Sequence, residues 1–281
     1  MGNAGGYGQF MPDGEAGADV FGDRADAWSS WQASPWGRLR YALVHETTGR
    51  AIFDLGGPLR VLDVGGGDGA DSLPLAAEGH YVTVLDFAPE LLELAAQTAA
   101  ASGVADRVHT VCADLDALMG DERAGTLAMT AFDVVLCHNV LQYRTDVPAT
   151  VQKLADLVRP GGVLSVMAPN PAMDVMAAVI RRLDPVRAAQ VLDSPTVHGE
   201  TFDHEMRRLE AADVEEALAA AGCVVEHRFG IRCLMDLIAD DERKAEPEFY
   251  RQLQELELRL CEREPYWRTA RFWQLAARRL L

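Results

Sequence analysis

The sequence predicts an α/β fold built on an open, doubly wound and mostly parallel sheet with helices on both faces. Three observations point there. The apolar run Leu59–Val64 ends in four glycines within five residues, Gly65, Gly66, Gly67 and Gly69, and a helical stretch follows from Ala70 to Glu78. A second run, Tyr81–Leu85, ends in Asp86, seventeen positions beyond Gly69. Strand and helix then alternate as far as Ala168, which is the rhythm of a doubly wound sheet.

Taken in order, residues 1–22 are rich in glycine and poor in large apolar side chains, and read as a mobile N-terminal tail ahead of one domain spanning 23–281. The tail lacks a basic segment followed by an apolar one, so it is not a signal peptide, and the compartment expected is the cytoplasm. Trp28, Trp31 and Trp36 form an arm laid over the core or, alternatively, wall an apolar substrate pocket. A helix is expected from about Leu39 to Asp54. Asp63 closes the first buried strand, and the spacing D-x-G-x-G-x-G lets the backbone turn sharply and a ligand approach without a Cβ in the way. No lysine sits in this loop, so phosphate cradling of the Walker type is excluded. Asp86, at the tip of the second strand and followed by Phe87, is placed to accept two ribose hydroxyls.

Further along, Glu90–Ser102 reads as a helix and Val108–Cys112 as the third strand. Asp114, next to Leu115, either accepts an adenine amino group or caps a turn. Phe132–Cys137 is the fourth strand, and His138, Asn139 and Tyr143 follow it at the carboxyl edge of the sheet, where such folds bind ligands. A helix over Val147–Val158 stops at the turn Arg159-Pro160-Gly161-Gly162, and Val163–Ala168 is the fifth strand. Residues 169–210 break the rhythm and read as a lid-like insertion with a polar loop through His198, Asp203 and His204. That trio lacks metal-ligand spacing, and no metal is expected. A helix over Asp213–Ala221, a strand over Cys223–Arg232, a helical insertion at 233–268 and a last strand over Thr269–Arg278 complete the chain.

Composition narrows the function. A net charge of −17 over 281 residues disfavours broad binding to polyanions. No apolar run reaches the length of a membrane span. The five cysteines include no C-x-x-C pair, and Cys112 and Cys137, in expected core strands, read as buried thiols.

The motifs from Asp63 to Gly69, Asp86, Asp114, the loop at His138 and the Arg159–Leu164 turn together resemble the class I S-adenosylmethionine (SAM) methyltransferases. The resemblance implies a Rossmann-like seven-stranded sheet with two antiparallel-paired strands at the end, and SAM as cofactor with S-adenosylhomocysteine as product. Gly37–Arg40, His138, Gly230–Arg232, Leu256–Tyr266 and Arg271 carry a narrower likeness to the tRNA 5-carboxymethoxyuridine methyltransferases, which esterify a carboxylate. It implies Arg40 as a clamp on the SAM carboxylate, and Arg232, Tyr266 and Arg271 on the substrate side; the alternative is that each of Arg232 and Arg271 pairs with an acidic neighbour, such as Asp236 or Glu264. The cofactor-side candidates are then Arg40, Asp63, Gly65, Gly66, Gly67, Gly69, Asp86, Phe87, Asp114, Leu115 and His138; the substrate-side ones are Asn139, Tyr143, Arg232, Tyr266 and Arg271. His138 is also the candidate base if the acceptor is a hydroxyl.

The lysine-rich run of that narrower group is missing, because arginines in the insertion are matched by acidic neighbours. A small-molecule acceptor, possibly a carboxylate, is therefore the expectation, with carboxyl methylation of a tRNA wobble uridine-oxyacetate as the alternative. A SAM-retaining scaffold without methyl transfer is the reading from another class.

Overall fold

The computed structural model describes residues 30–115, 131–199 and 204–281. Five strands run parallel: β1 (Arg60–Val64), β2 (Tyr81–Asp86), β3 (Val108–Cys112), β4 (Phe132–His138) and β5 (Val158–Pro169). A small hairpin of β6 (Thr196–Gly199) and β7 (His204–Arg207) stands apart, and β8 (Cys223–Ile231) and β9 (Phe272–Arg279) join the main sheet antiparallel. The seven-stranded order is β3-β2-β1-β4-β5-β9-β8. Strand order reverses between β1 and β4, so a crevice opens at their carboxyl ends.

The helices are α1 (Pro35–Ile52), α2 (Leu73–Ala77), α3 (Pro89–Ala101), α4 (Val147–Leu157), α5 (Pro171–Ile180), α6 (Pro185–Leu192), α7 (Ala211–Ala220), α8 (Asp241–Ala245) and α9 (Pro247–Leu260). Successive strand residues feed opposite cores, as the period of two demands. Val61, Val134 and Leu136 pack on one face with Leu39 and Leu43 of α1 and Leu253 of α9. Leu62, Val135 and Cys137 pack on the other with Val151 and Leu154 of α4 and Leu218 of α7.

Several boundaries differ from the expectation, each for a local reason. Helix α1 starts at Pro35, because the Ser34 hydroxyl accepts the Gly37 N–H at 3.1 Å and proline suits the first helical position. Helix α2 is shorter than expected because the glycine turn runs on, with the N–H groups of Ser72 and Leu73 still donating to the Gly69 carbonyl. The expected Arg159–Gly162 turn lies inside β5: Phe132 pairs with Val158, and a bulge before Val134 absorbs the extra residues. The 169–210 insertion folds as α5, α6 and the β6–β7 hairpin, so His198 and His204 lie on strands, not in a loop; Asp203 is outside the described residues. A 3-10 turn over Tyr266–Thr269 delays the last strand to Phe272.

Arg232, read above as a substrate group, is buried within the fold and is not among the residues lining either cavity described below. Its guanidinium is fully buried and pairs with Asp236, Nε donating at 2.7 Å and Nη2 to the other carboxylate oxygen, while Nη1 reaches the Trp36 carbonyl at 3.3 Å. A nearby buried carboxylate, Glu257, accepts the N–H groups of Cys233, Leu234 and Met235 and fixes the same bend. Asp236→Ala strands a buried charge and should cost about 3–5 kcal/mol of stability in urea unfolding. The double variant Arg232→Met/Asp236→Leu should recover most of that loss, which separates a structural pair from a binding one.

Candidate functional site

The crevice at the carboxyl ends of β1, β2 and β4 holds a cleft of about 750 Å³, mouth included. Its floor is the glycine loop. Gly65 has φ +66°, and a Cβ there would stand 2.5 Å from Val140 Cγ2; one on Gly66 would stand 2.6 Å from the Asp63 carboxylate. Only glycine fits either position, so the loop backbone itself is the binding surface.

Asp86 lies beneath this loop, with Oδ2 accepting the Gly67 N–H and Oδ1 the Ala88 N–H, both at 2.9 Å. Each oxygen retains a lone pair for a ligand hydroxyl. Burial pushes its carboxyl up to about 6, against the backbone donors that favour the charged form. Burial, with Asp71 adding like charge, pushes the Asp63 carboxyl up to about 7. Asp63 Oδ2 and Asn139 Oδ1 are buried oxygens with no hydrogen-bond partner among the described residues, and both residues line the cleft. Two unmatched acceptors beside a loop stripped of Cβ atoms, above a carboxylate fit for a diol, suit a nucleoside carrying an ammonium group.

Asp71 was not singled out by the sequence, yet it organises the cleft. Arg40 commits both Nη atoms to its carboxylate, Nη2 at 2.7 Å, and His138 Nδ1 lies 3.0 Å from the same group. Although burial opposes it, Arg40 and then His138 hold the Asp71 carboxyl well below the usual range. Its only sequence signal is position: it is the next acidic residue after the D-x-G-x-G-x-G spacing. Two expectations change as a result. Arg40 lines the cleft but does not present a free two-pronged fork to a carboxylate. His138 also contacts Ser165 Oγ through Nε2 at 2.9 Å, so both ring nitrogens are engaged and neither is placed to take a proton from an acceptor.

The remaining candidates divide. Gly65, Gly66, Gly67, Phe87, Asn139 and Tyr143 line the cleft. Gly69 shapes the turn from behind, where a Cβ would meet Leu73 at 2.9 Å. Asp114 is exposed and Leu115 belongs to the core; neither lines the cleft, and residues 116–130 beyond them are outside the described set. Trp28 is likewise outside it, whereas Trp36 packs against the core, and Trp31 sets its ring edge-on to Tyr41, 6.3 Å between centroids. Gln32 donates to Asp68 at 2.7 Å, so the N-terminal arm closes one side of the cleft.

A second cavity, of about 690 Å³ with its mouth, lies under the 169–210 insertion and is lined by Pro169, Asp174, Ala177, Ala178, Arg182, Arg187, Val191, Val197, Met206 and Arg271. Arg271 is 4% exposed and donates from Nη1 to Asp174 at 2.8 Å. The Tyr143 hydroxyl, in the first cleft, contacts Met206 Sδ, in the second, at 3.3 Å. Tyr266, by contrast, lies on an exposed turn and lines neither cavity.

The fold and this cleft are those of a SAM-binding enzyme, and the comparisons agree: the chain belongs to the class I SAM-dependent methyltransferases. A family described as a methyltransferase domain matches residues 62–164. Over most of its length the chain is similar to the tRNA 5-carboxymethoxyuridine methyltransferase of Escherichia coli strain K12, with 32% identity over 246 residues, 86% of this chain and 89% of that one. Two solved structures share the fold: the [4+2]-cyclase SpnF (TM-score 0.62, 17% identity, 98% of this chain and 100% of that one) and the magnesium protoporphyrin IX methyltransferase of Synechocystis with bound S-adenosylhomocysteine (TM-score 0.60, 16% identity, 93% and 97%). SAM is the cofactor.

Two measurements probe the cleft. Asp86→Ala should weaken SAM binding by about 1.5–3 kcal/mol in calorimetric titration, because the ribose loses a charged acceptor. The second is pH-dependent. Folded Asp63 keeps its proton to about pH 7, whereas the unfolded chain releases it near the ordinary carboxyl value. In that window the native state binds more protons, so stability falls as pH rises and levels off above it. Asp63→Asn should flatten that decline in ligand-free thermal unfolding; an unchanged slope would mean Asp63 is already ionised at low pH.

Proposed function

We propose that this enzyme transfers a methyl group from SAM to the carboxylate of a small-molecule acceptor, giving a methyl ester, and that the second cavity receives the acceptor. The observation that carries this reading is the charge of that cavity. Among the described residues, its lining sets Arg182, Arg187 and Arg271 against Asp174 alone, and Arg208 Nε approaches the same carboxylate at 3.8 Å. A chamber whose described lining carries more guanidinium than carboxylate favours an anion.

The residues of the donor cleft have separable tasks. Asp86 holds the ribose, the glycine loop admits the nucleoside closely, and Asp63 and Asn139 take N–H donors. When bound, SAM supplies a methyl group on a positively charged sulfur. Asp68, Asp71 and Asp86 line the cleft against Arg40, a field that favours a cation. Burial raises the Tyr143 phenol above its ordinary value, so it stays protonated at the junction of the two cavities. A carboxylate acceptor is already ionised near neutral pH and needs no base, which fits a His138 whose nitrogens are engaged. The work left to the protein is alignment and exclusion of water. We assign the 169–210 insertion the part of a substrate cover, and the enzyme to the cytoplasm; among the described residues no helix is long and apolar enough to cross a membrane.

A second reading, esterification of a tRNA wobble uridine-oxyacetate, is favoured by the relative that matches over 246 residues. The surface weighs against it. Arg181 pairs with Asp241 at 3.0 Å, and the net charge of −17 over the whole chain disfavours a phosphate chain.

With methyl-labelled SAM and a cell extract, the product label should escape as methanol on mild alkali. Arg271→Met should slow transfer by about 30- to 150-fold, the worth of a charge-assisted hydrogen bond, while SAM affinity stays unchanged. An alkali-stable ether or N-methyl product would refute the carboxylate acceptor.

A further inference from the structure

We infer that Gln274 is a positioning residue for methyl transfer: it sets the direction of the buried hydrogen-bond chain behind the donor cleft, and so holds His138 uncharged and keeps the cationic donor favoured over its neutral product. Gln274 lies on β9, fully buried, and acts on the cleft only through Ser165 and His138.

The direction follows from one end of the chain. Arg40 and His138 hold Asp71 as a carboxylate, which can only accept, so the hydrogen between it and His138 Nδ1, 3.0 Å away, belongs to the ring. An uncharged imidazole then has a bare Nε2, which takes a donor. Its neighbour at 2.9 Å is the Ser165 hydroxyl. Once that hydroxyl gives its single hydrogen to Nε2, its oxygen can only accept, and Gln274 Nε2 donates to it at 3.0 Å. The other hydrogen of the same amide reaches Thr48 Oγ1 at 3.4 Å, and Gln274 Oε1 accepts the Thr47 hydroxyl at 2.7 Å. Every link from Thr47 to Asp71 runs one way.

Turning the amide over would reverse the charge. With Oε1 facing Ser165, the serine would donate to Gln274, and its oxygen would have to accept from His138 Nε2. Both ring nitrogens would then carry hydrogen, and the ring a positive charge. Thr47, Thr48, Ser165 and Gln274 are all buried, so solvent does not compete for these hydrogens. That charge would matter because His138 lines the donor cleft beside the Arg40–Asp71 pair. With an uncharged ring the three groups sum to zero. A cationic ring would face the positive sulfur of SAM, whereas the sulfur of S-adenosylhomocysteine is neutral. Repulsion between like charges is strong where water is excluded. An uncharged His138 therefore favours the donor over the product in the same cleft.

The test joins a spectroscopic readout to a binding one, both on the full-length protein. In nitrogen NMR spectra of isotope-labelled histidine at about pH 8, above the ordinary titration range of the side chain, His138 should show hydrogen on Nδ1 and a bare Nε2. Gln274→Glu presents Ser165 with a carboxylate, which only accepts. His138 should then carry hydrogen on both nitrogens at the same pH, and calorimetry should show SAM affinity falling about fivefold relative to that for S-adenosylhomocysteine. Gln274→Met removes the donor without supplying an acceptor, so it should leave the ring uncharged and the ratio of the two affinities unchanged. That contrast separates the direction of the hydrogen bond from simple loss of packing. If Gln274→Glu does not fold, the unsubstituted enzyme still decides, because hydrogen on Nε2, alone or together with Nδ1, overturns the inference. A folded Gln274→Glu variant whose ring stays uncharged, or whose affinities for donor and product fall alike, overturns it as well.

Discussion

A closed circuit of buried polar side chains ties helix α1 to the carboxyl edge of the sheet. It runs from Arg40 to Asp71, from Asp71 to His138, from His138 to Ser165, from Ser165 to Gln274 at 3.0 Å, and from Gln274 back to Thr47 at 2.7 Å. Arg40 and Thr47 stand two turns apart on the same helix, so the circuit fixes α1 against β4, β5 and β9 together. Buried polar groups are tolerated when each has a partner, and a network so satisfied has one arrangement. The position of the glycine loop relative to the helix that roofs it depends on this circuit, and so does the shape of the donor cleft. His138 is a member of this ring, with each ring nitrogen in contact with a neighbour.

The two cavities have opposite electrostatic character. Among the charged groups of the described linings, aspartates predominate in the first cleft and arginines in the second. A positively charged donor and a negatively charged acceptor are each attracted to their own side. They meet at Tyr143 and Met206, where a protonated phenol faces a thioether. This division is compatible with a protein of strong overall negative charge, because the positive region is a chamber under the insertion and not a surface stripe.

Much of the donor side was legible in the sequence. The strand, the D-x-G-x-G-x-G turn and an acid at the tip of the next strand are local patterns, and local geometry forces their roles. Asp63, Gly65, Gly66, Gly67 and Asp86 accordingly lie together. What sequence could not supply was partner choice. Arg232 and Arg271 flank the paired ends of β8 and β9, with the Arg271 N–H donating to the Arg232 carbonyl at 2.9 Å, yet their side chains meet different carboxylates: Asp236, a neighbour in sequence, for Arg232, and the distant Asp174 for Arg271. Arg40 and Asp71 are thirty-one residues apart, and their pairing exists only once α1 folds over the loop. In the insertion, His198 and His204 read as part of a polar loop but lie on the two strands of the hairpin, whose pairing is a contact between segments.

The most direct test of the two-cavity arrangement is a crystal structure of the protein with S-adenosylhomocysteine. The ribose should sit on Asp86, with the sulfur turned toward Tyr143 and a continuous path from it to the Arg271 chamber. A product bound outside the glycine loop, or a sulfur sealed from that chamber with no path to Arg271, would contradict it.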